Sequence, residues 1–229
     1  MARPPVTLSV LRRQALAHSL FAPATLAEAI TRLGYVQADP IRAPARAQDL
    51  ILRHRVRDYR AGDLERQYPS LPVEEDYFIN YGFLPGAIAS LLHPRGAPLR
   101  LRGRARERAD ALVAQATRHG ELHPRDAAAL GGTARTRNDW GGTSRATTLL
   151  LDRLHHAGTL RVARRDAGQR VYAPSRRPVL PEAQIARAAR ADALVRLTVS
   201  LYAPLPAPSL TPLLAALRQA APDLRAEIP

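Results

Sequence analysis

Ser144-Arg145-Ala146-Thr147-Thr148-Leu149-Leu150-Leu151-Asp152-Arg153-Leu154-His155-His156-Ala157-Gly158 reads as a helix that is capped, amphipathic and stopped. Ser144 supplies a capping hydroxyl, Leu150, Leu151, Leu154 and Ala157 recur on one side, and Gly158 ends the run. Beyond it, residues 160–164 and 170–173 read as two short strands joined by Arg165-Asp166-Ala167-Gly168-Gln169.

Upstream, residues 103–118 form an arginine-rich helical pattern with Ala105, Ala109, Leu112, Val113 and Ala116 as its stripe, stopped by Gly120. Residues 124–130 give a short second helix ended by Gly131-Gly132. Residues 133–143 are a polar loop carrying Trp140, the one tryptophan of the chain. Three helices followed by a hairpin is the order of a winged helix-turn-helix, whose third helix enters the major groove while the wing lies along the backbone. Arg145 near the third helix and Arg161, Arg164, Arg165 and Arg170 on the wing are therefore candidate DNA contacts, with Trp140 beside them. The alternative is a wing used only as a dimer or domain contact.

Further out, residues 6–20 read as a helix, and Thr25-Leu26-Ala27-Glu28 matches a capping box that opens a helix ending at Gly34. Residues 45–56 look helical again, and Asp63 is placed to cap a short helix through Tyr68. Residues 69–86 read as irregular and aromatic, with packing or base stacking as the two uses of Tyr68, Tyr77, Phe78, Tyr81 and Phe83. Beyond a proline-bounded linker, residues 182–202 and 209–220 read as two more helices, the start of a further helix-turn-helix unit. The expected fold is mainly α with short β-hairpin wings. Its parts are a helical region at 1–92, a winged helix-turn-helix at 93–180 and a helical start of another unit at 181–229.

The charge narrows the partner. All 34 basic residues are arginine, against 20 acidic ones, for a formal charge of +14 in 229 residues. Arginine binds phosphate bidentately and keeps its charge at any working pH, so a polyanion such as double-stranded DNA is the expected partner. The absence of lysine leaves no side-chain amine for Schiff-base chemistry. The absence of cysteine removes disulfides, thiolate nucleophiles and cysteine-ligated metals. His119 and His123 have the separation of two zinc ligands, but Gly120 and Pro124 break the helix that would align them, and no metal or cofactor is expected. No apolar run is long enough to span a membrane, and no secretory signal is read at the start. A cytoplasmic monomer in a bacterium is the expectation.

Gly34-Tyr35-Val36-Gln37-Ala38-Asp39-Pro40 carries the candidate chemistry. If residues 35–39 are extended, Tyr35, Gln37 and Asp39 point the same way, an amide beside a carboxylate, with Arg42 and Arg46 close behind. The alternative is structural, with Asp39 organising the turn before Pro40 and Gln37 merely exposed.

The chain resembles the AlkZ/YcaQ-type winged-helix DNA glycosylases. The resemblance is carried by Leu33-Gly34-Tyr35-Val36-Gln37-Ala38-Asp39, Ala45-Arg46-Ala47, Asp58-Tyr59 with Asp63-Leu64, Trp140-Gly141-Gly142, Gly158-Thr159-Leu160, Gln169-Arg170-Val171-Tyr172 and Pro178-Val179-Leu180-Pro181. It implies tandem winged helices gripping duplex DNA, hydrolysis of alkylated purines including those in interstrand crosslinks, and Gln37 and Asp39 as the Gln-x-Asp catalytic pair. Tyr35 and Asn80 are possible neighbours of that pair. Two departures stand out: Ile79-Asn80 occupies the place of the family's His-Glu pair, and the C-terminal β-rich part is missing. A winged-helix DNA-binding protein without catalysis, or a scaffold on DNA, is the competing expectation.

An N7-alkylated purine is already cationic and leaves without protonation, so one carboxylate can stabilise the oxocarbenium-like sugar and activate water. With no lysine, simple base release rather than strand cleavage is expected.

Overall fold

The computed structural model describes residues 6–95, 99–131, 135–137, 143–176 and 186–229. Its first helix, α1 (Leu8–Ser19), starts at Thr7, whose hydroxyl accepts the Val10 N–H at 3.3 Å, and has no buried residue. α2 (Leu26–Leu33) begins with both halves of the Thr25/Glu28 capping box and ends at Gly34, whose φ of 74° lies in the left-handed region. The chain then enters β1 (Val36–Gln37). α3 (Ala47–Leu52) is shorter than residues 45–56, because the chain turns after Leu52 and Val56 is drawn into a parallel bridge with Ala24. In α4 (Asp63–Gln67) Gly62, not Asp63, is the cap; the Asp63 carboxylate instead accepts the Arg60 N–H at 2.5 Å.

Residues 69–86 are not irregular. They contain a hairpin, β2 (Val73–Tyr77) and β3 (Tyr81–Pro85), which joins β1 in an antiparallel sheet of order β1-β3-β2. The register places Gln37, Gly82 and Asp76 in one row across the sheet, and Val36, Phe83 and Glu75 in the next. Adjacent rows face opposite sides. The aromatic side chains are used for packing: Tyr68 meets Phe83 edge-on at 5.6 Å and Tyr77 meets Tyr81 at 4.8 Å between ring centroids.

α5 (Gly86–Leu91) leads on to α6 (Arg104–His119) and α7 (Pro124–Gly131). A small ribbon follows, β4 (Arg135–Arg137) and β5 (Thr143–Arg145), which begins in the stretch that reads as loop and continues through Ser144. Ser144 is therefore paired with Thr136 in the ribbon and is not the residue that caps the following helix, which starts at Ala146. Then come α8 (Ala146–His156) and the hairpin β6 (Leu160–Asp166) and β7 (Gln169–Pro174). Ala167 and Gly168, both at positive φ, make the two-residue turn that matches strand twist. The order of three helices and a hairpin is thus present. α9 (Arg187–Tyr202) and α10 (Ala207–Ala220) complete a mainly helical chain with small antiparallel sheets.

The β1-β3-β2 sheet has a core on each face. Phe83 and Val36 pack with Ile30, Leu112, Leu151 and Val162, joining the N-terminal helices to α6, α8 and the hairpin. Leu84 and Phe78 pack with Leu194, Leu214 and Leu217 of the last two helices. Alternation along β3 explains how neighbouring residues enter different cores.

Candidate active site

β1 holds Gln37 by backbone pairing with Gly82, and the Ala38 N–H donates to the Tyr81 carbonyl at 2.9 Å. Tyr35 lies across Gly82: a Cβ there would fall 2.4 Å from its ring, so only glycine admits it. Its hydroxyl donates to the Tyr81 carbonyl at 3.2 Å and its ring leans on Phe78. Gln37 shares the Gly82 face with Tyr35, as the alternation requires, and its side chain is half-buried without a hydrogen bond to any described residue. Asn80 is exposed at the tip of the β2–β3 hairpin, where its carbonyl accepts the Phe78 N–H.

Asp39 lies two residues past the end of β1 and is half-buried. Its backbone N–H donates to Oε1 of the buried Gln48 at 3.0 Å, which fixes the main chain against α3. Its Oδ1 accepts the Ile41 N–H at 2.8 Å. Its Oδ2 has no hydrogen bond to a described residue. The carboxylate is therefore oriented by one oxygen and open at the other.

The expected phosphate-binding arginines separate into two groups. Arg42 is exposed, but Arg46 is held by Glu65 and by Asp49 at 3.4 Å, in the knot where Asp49 also accepts from Tyr59 and the Gly62 N–H. Arg164 pairs with Glu121 at 2.9 Å on the surface. Arg165 and Arg170, expected on an open wing, are turned inward instead. Arg165 forks onto both oxygens of Glu75 at 2.9 and 2.7 Å, and Arg170 bonds Asp152 at 2.9 Å while covering the Tyr81 ring at 4.1 Å. The reason is that Glu75 is fully buried, and a buried carboxylate without a cation is strongly unfavourable. Arg161 has no acid partner among the described residues. Arg145 ends β5, immediately before α8, whereas Trp140 and the stretch 178–181 lie outside the described residues.

Nothing in the residue order announces this seam between sheet and hairpin. Besides Glu75 it contains Tyr81, whose hydroxyl donates to Glu75 at 2.9 Å, and His155, fully buried. His155 Nδ1 faces the Leu160 carbonyl at 3.3 Å and its Nε2 faces the Tyr81 hydroxyl at 3.4 Å. Burial pushes the imidazole down to about 4, against weaker opposition from Asp76. Burial, followed by the nearby Glu75, lifts the Tyr81 phenol well above its usual value. Burial alone would lower the Arg170 guanidinium, but Tyr81, Tyr172, Asp152 and Glu75 together hold it above its ordinary range. Asp76, one residue on and facing the other side, holds Arg95 at 2.8 Å and His93 at 2.9 Å. Arg95 further bonds the Ala220 and His156 carbonyls, tying the last helices to α8. Among the described residues no group of three or more His, Cys, Asp or Glu is placed to hold a metal ion, and no helix is long and apolar enough to cross a membrane.

A family model described as DNA glycosylase AlkZ-like matches residues 30–228, from within α2 to the penultimate residue. The chain belongs to the AlkZ-like DNA glycosylase family. No curated protein and no solved structure matches it. Membership implies DNA as the partner. The family match takes in both the Gln37–Asp39 segment and the arginine-bearing hairpin.

Proposed function

We propose that this AlkZ-like protein is a monofunctional DNA glycosylase that hydrolyses the N-glycosidic bond of N7-alkylated purines, including those in interstrand crosslinks. Asp39 is the catalytic carboxylate and Gln37 orients the attacking water or holds the sugar-phosphate. The observation that carries the reading is the half-satisfied Asp39: Oδ1 is fixed by the Ile41 N–H, the main chain by Gln48, and Oδ2 is left open. A carboxylate so held reaches the sugar face without reorganising, which is what stabilisation of developing positive charge needs. Tyr35, packed over Gly82 on the Gln37 face, is the neighbour that shapes the site; Asn80, at the hairpin tip, lies beside the carbonyl that Tyr35 bonds.

In this reading α6–α8 with β6 and β7 form a winged helix-turn-helix spanning 93–180. The region 1–92 carries the catalytic segment, and α9–α10 open a further unit at 181–229, giving a tandem arrangement. Exposed Arg42 and half-buried Arg161 are its candidate backbone contacts, while Arg165 and Arg170 serve by fixing the hairpin against the sheet. The protein works as a monomer on duplex DNA in the bacterial cytoplasm.

The competing reading is a DNA-binding protein without catalysis. One observation favours it: the Ile41 N–H bond to Asp39 is also what a turn-organising aspartate makes. Incubation with N7-methylguanine DNA, followed by alkali to reveal abasic sites, separates the two. Sites that form and vanish with Asp39→Asn support the enzyme; tight binding without sites supports the binding protein.

A further inference from the structure

The hairpin distributes its arginines unevenly. Arg164, Arg165 and Arg170 each meet a carboxylate, Glu121, Glu75 and Asp152 respectively. Arg161 meets none among the described residues. Its Nε is buried with no acceptor, and its one bond there is a long 3.5 Å contact to the Val162 carbonyl. Exposed Arg176, just beyond β7, has no acid partner among them either. The buried Nε is out of reach of a ligand, so it is the terminal nitrogens of Arg161, with no acid among the described residues and set on a groove wall, that remain for an acceptor from outside the chain.

Both arginines line a groove of about 540 Å³, a volume in the range of ligand sites. The rest of its wall is largely apolar, with Leu71, Pro72, Pro85 and Ala87 prominent. Glu74 also lines it and is engaged in an interaction of its own. None of Tyr35, Gln37, Asp39 or Asn80 does. The groove lies at the Val73–Pro85 end of the β2–β3 hairpin, whereas Asp39 follows the segment bonded to Tyr81 at the other end. The length of β3 separates them by roughly 13 Å, about four base-pair rises of duplex.

Two arginines with no acid partner among the described residues, set above an apolar wall, suit an anion that carries a flat apolar group. We propose that this groove binds a nucleotide, its phosphate on Arg161 and Arg176 and its sugar and base against Leu71, Pro72 and Pro85. The phosphate has two sources to distinguish, the DNA strand flanking the candidate active site and a free mononucleotide. The first source rests on the glycosylase reading; the second stands apart from it.

The test is binding, not catalysis. Anisotropy of a short fluorescein-labelled duplex is followed through a salt titration for the native protein, Arg176→Gln, Arg161→Gln with Arg176→Gln, and Arg164→Gln as control. Calorimetry with deoxyadenosine monophosphate forms the second arm. If the strand supplies the phosphate, the slope of log K against log salt becomes shallower by about 0.9 for each phosphate no longer neutralised. Arg164→Gln, already neutralised by Glu121, leaves it unchanged. If a free nucleotide is the ligand, the mononucleotide binds the native protein, the double variant loses that binding, and the duplex slope stays the same. Exposed Arg176 can be altered without disturbing a core, so a misfolded Arg161 variant does not hide the answer. An unchanged response to both probes in Arg176→Gln and in a folded double variant overturns the proposal. Failure of the catalytic reading is seen separately, as native protein that forms no alkali-labile sites on N7-methylguanine DNA whatever the salt slope.

Discussion

Glu75 on β2 and Asp39 just past β1 are two carboxylates at one sheet, held to different degrees. Glu75 is fully buried, and its oxygens take two bonds from Arg165 and one from the Tyr81 hydroxyl. Asp39 is half-buried, with one oxygen anchored and the other open. A carboxylate wholly engaged by cations and hydroxyls is a fastening, because releasing it toward a substrate would cost all of those bonds at once. One that is oriented yet incompletely engaged can meet a developing positive charge at little cost of reorganisation. If Asp39 is the catalytic acid as proposed, the number of uncommitted lone pairs, rather than burial or charge, is what distinguishes it from Glu75.

The contrast is most vulnerable at Asp39. Asp39→Asn should lower base excision from N7-methylguanine DNA by roughly 100- to 10,000-fold, with the thermal midpoint close to native because only the Ile41 contact is altered. A variant as active as the native protein would remove the distinction. Glu75→Ala should do the reverse. It leaves Arg165 buried without its counter-ion and should lower stability by about 3–5 kcal/mol, read by urea denaturation, and any loss of excision should track the unfolded fraction.

Acidification tests the closed side of the contrast. The unfolded chain protonates His155 near 6.5 whereas the folded protein does so only near 4. Between those values the unfolded state binds more protons, so stability falls as pH falls, by roughly 3 kcal/mol in full. His155→Gln should flatten the part of the profile that lies above the carboxylate range. A native-like slope in that variant would mean the seam titrates through another group. The smallest expected effect is at Gly82→Ala, where the new methyl meets Tyr35 and the Val36 carbonyl. The cost should be about 1–3 kcal/mol, with excision reduced in the fraction that remains folded, since Tyr35 must shift on the face it shares with Gln37.

Features whose partners lie close along the chain are legible in the residue order. The capping box at Thr25 and Glu28, the stop at Gly34, the α6 and α8 stripes and the hairpin after α8 all follow from neighbours within about one helical or hairpin turn, although the connection read as residues 165–169 closes to Ala167-Gly168. β2 escapes such a reading for the opposite reason. Val73-Glu74-Glu75-Asp76-Tyr77 places acids where a strand ordinarily places apolar residues, so it reads as loop. The cations that make it a strand are remote: Arg95 sits 19 residues on and Arg165 sits 90 residues on. At the candidate site, spacing marks Gln37 and Asp39 as a pair, but the bond from Gln48 and the open Oδ2 are visible only in three dimensions. The wing arginines read as equivalent because sequence shows their charge and not their neighbours.

Residue order alone thus establishes the longer helices, the hairpin after α8, the basic character, the lack of lysine chemistry and the Gln37–Asp39 spacing, all of which depend on local geometry or composition, but not α5 or the β2–β3 hairpin. Which acids and arginines neutralise one another is settled only in the folded chain, because burial and Coulomb attraction act between groups brought together from distant positions. Folding thereby selects the few that keep capacity to spare for DNA.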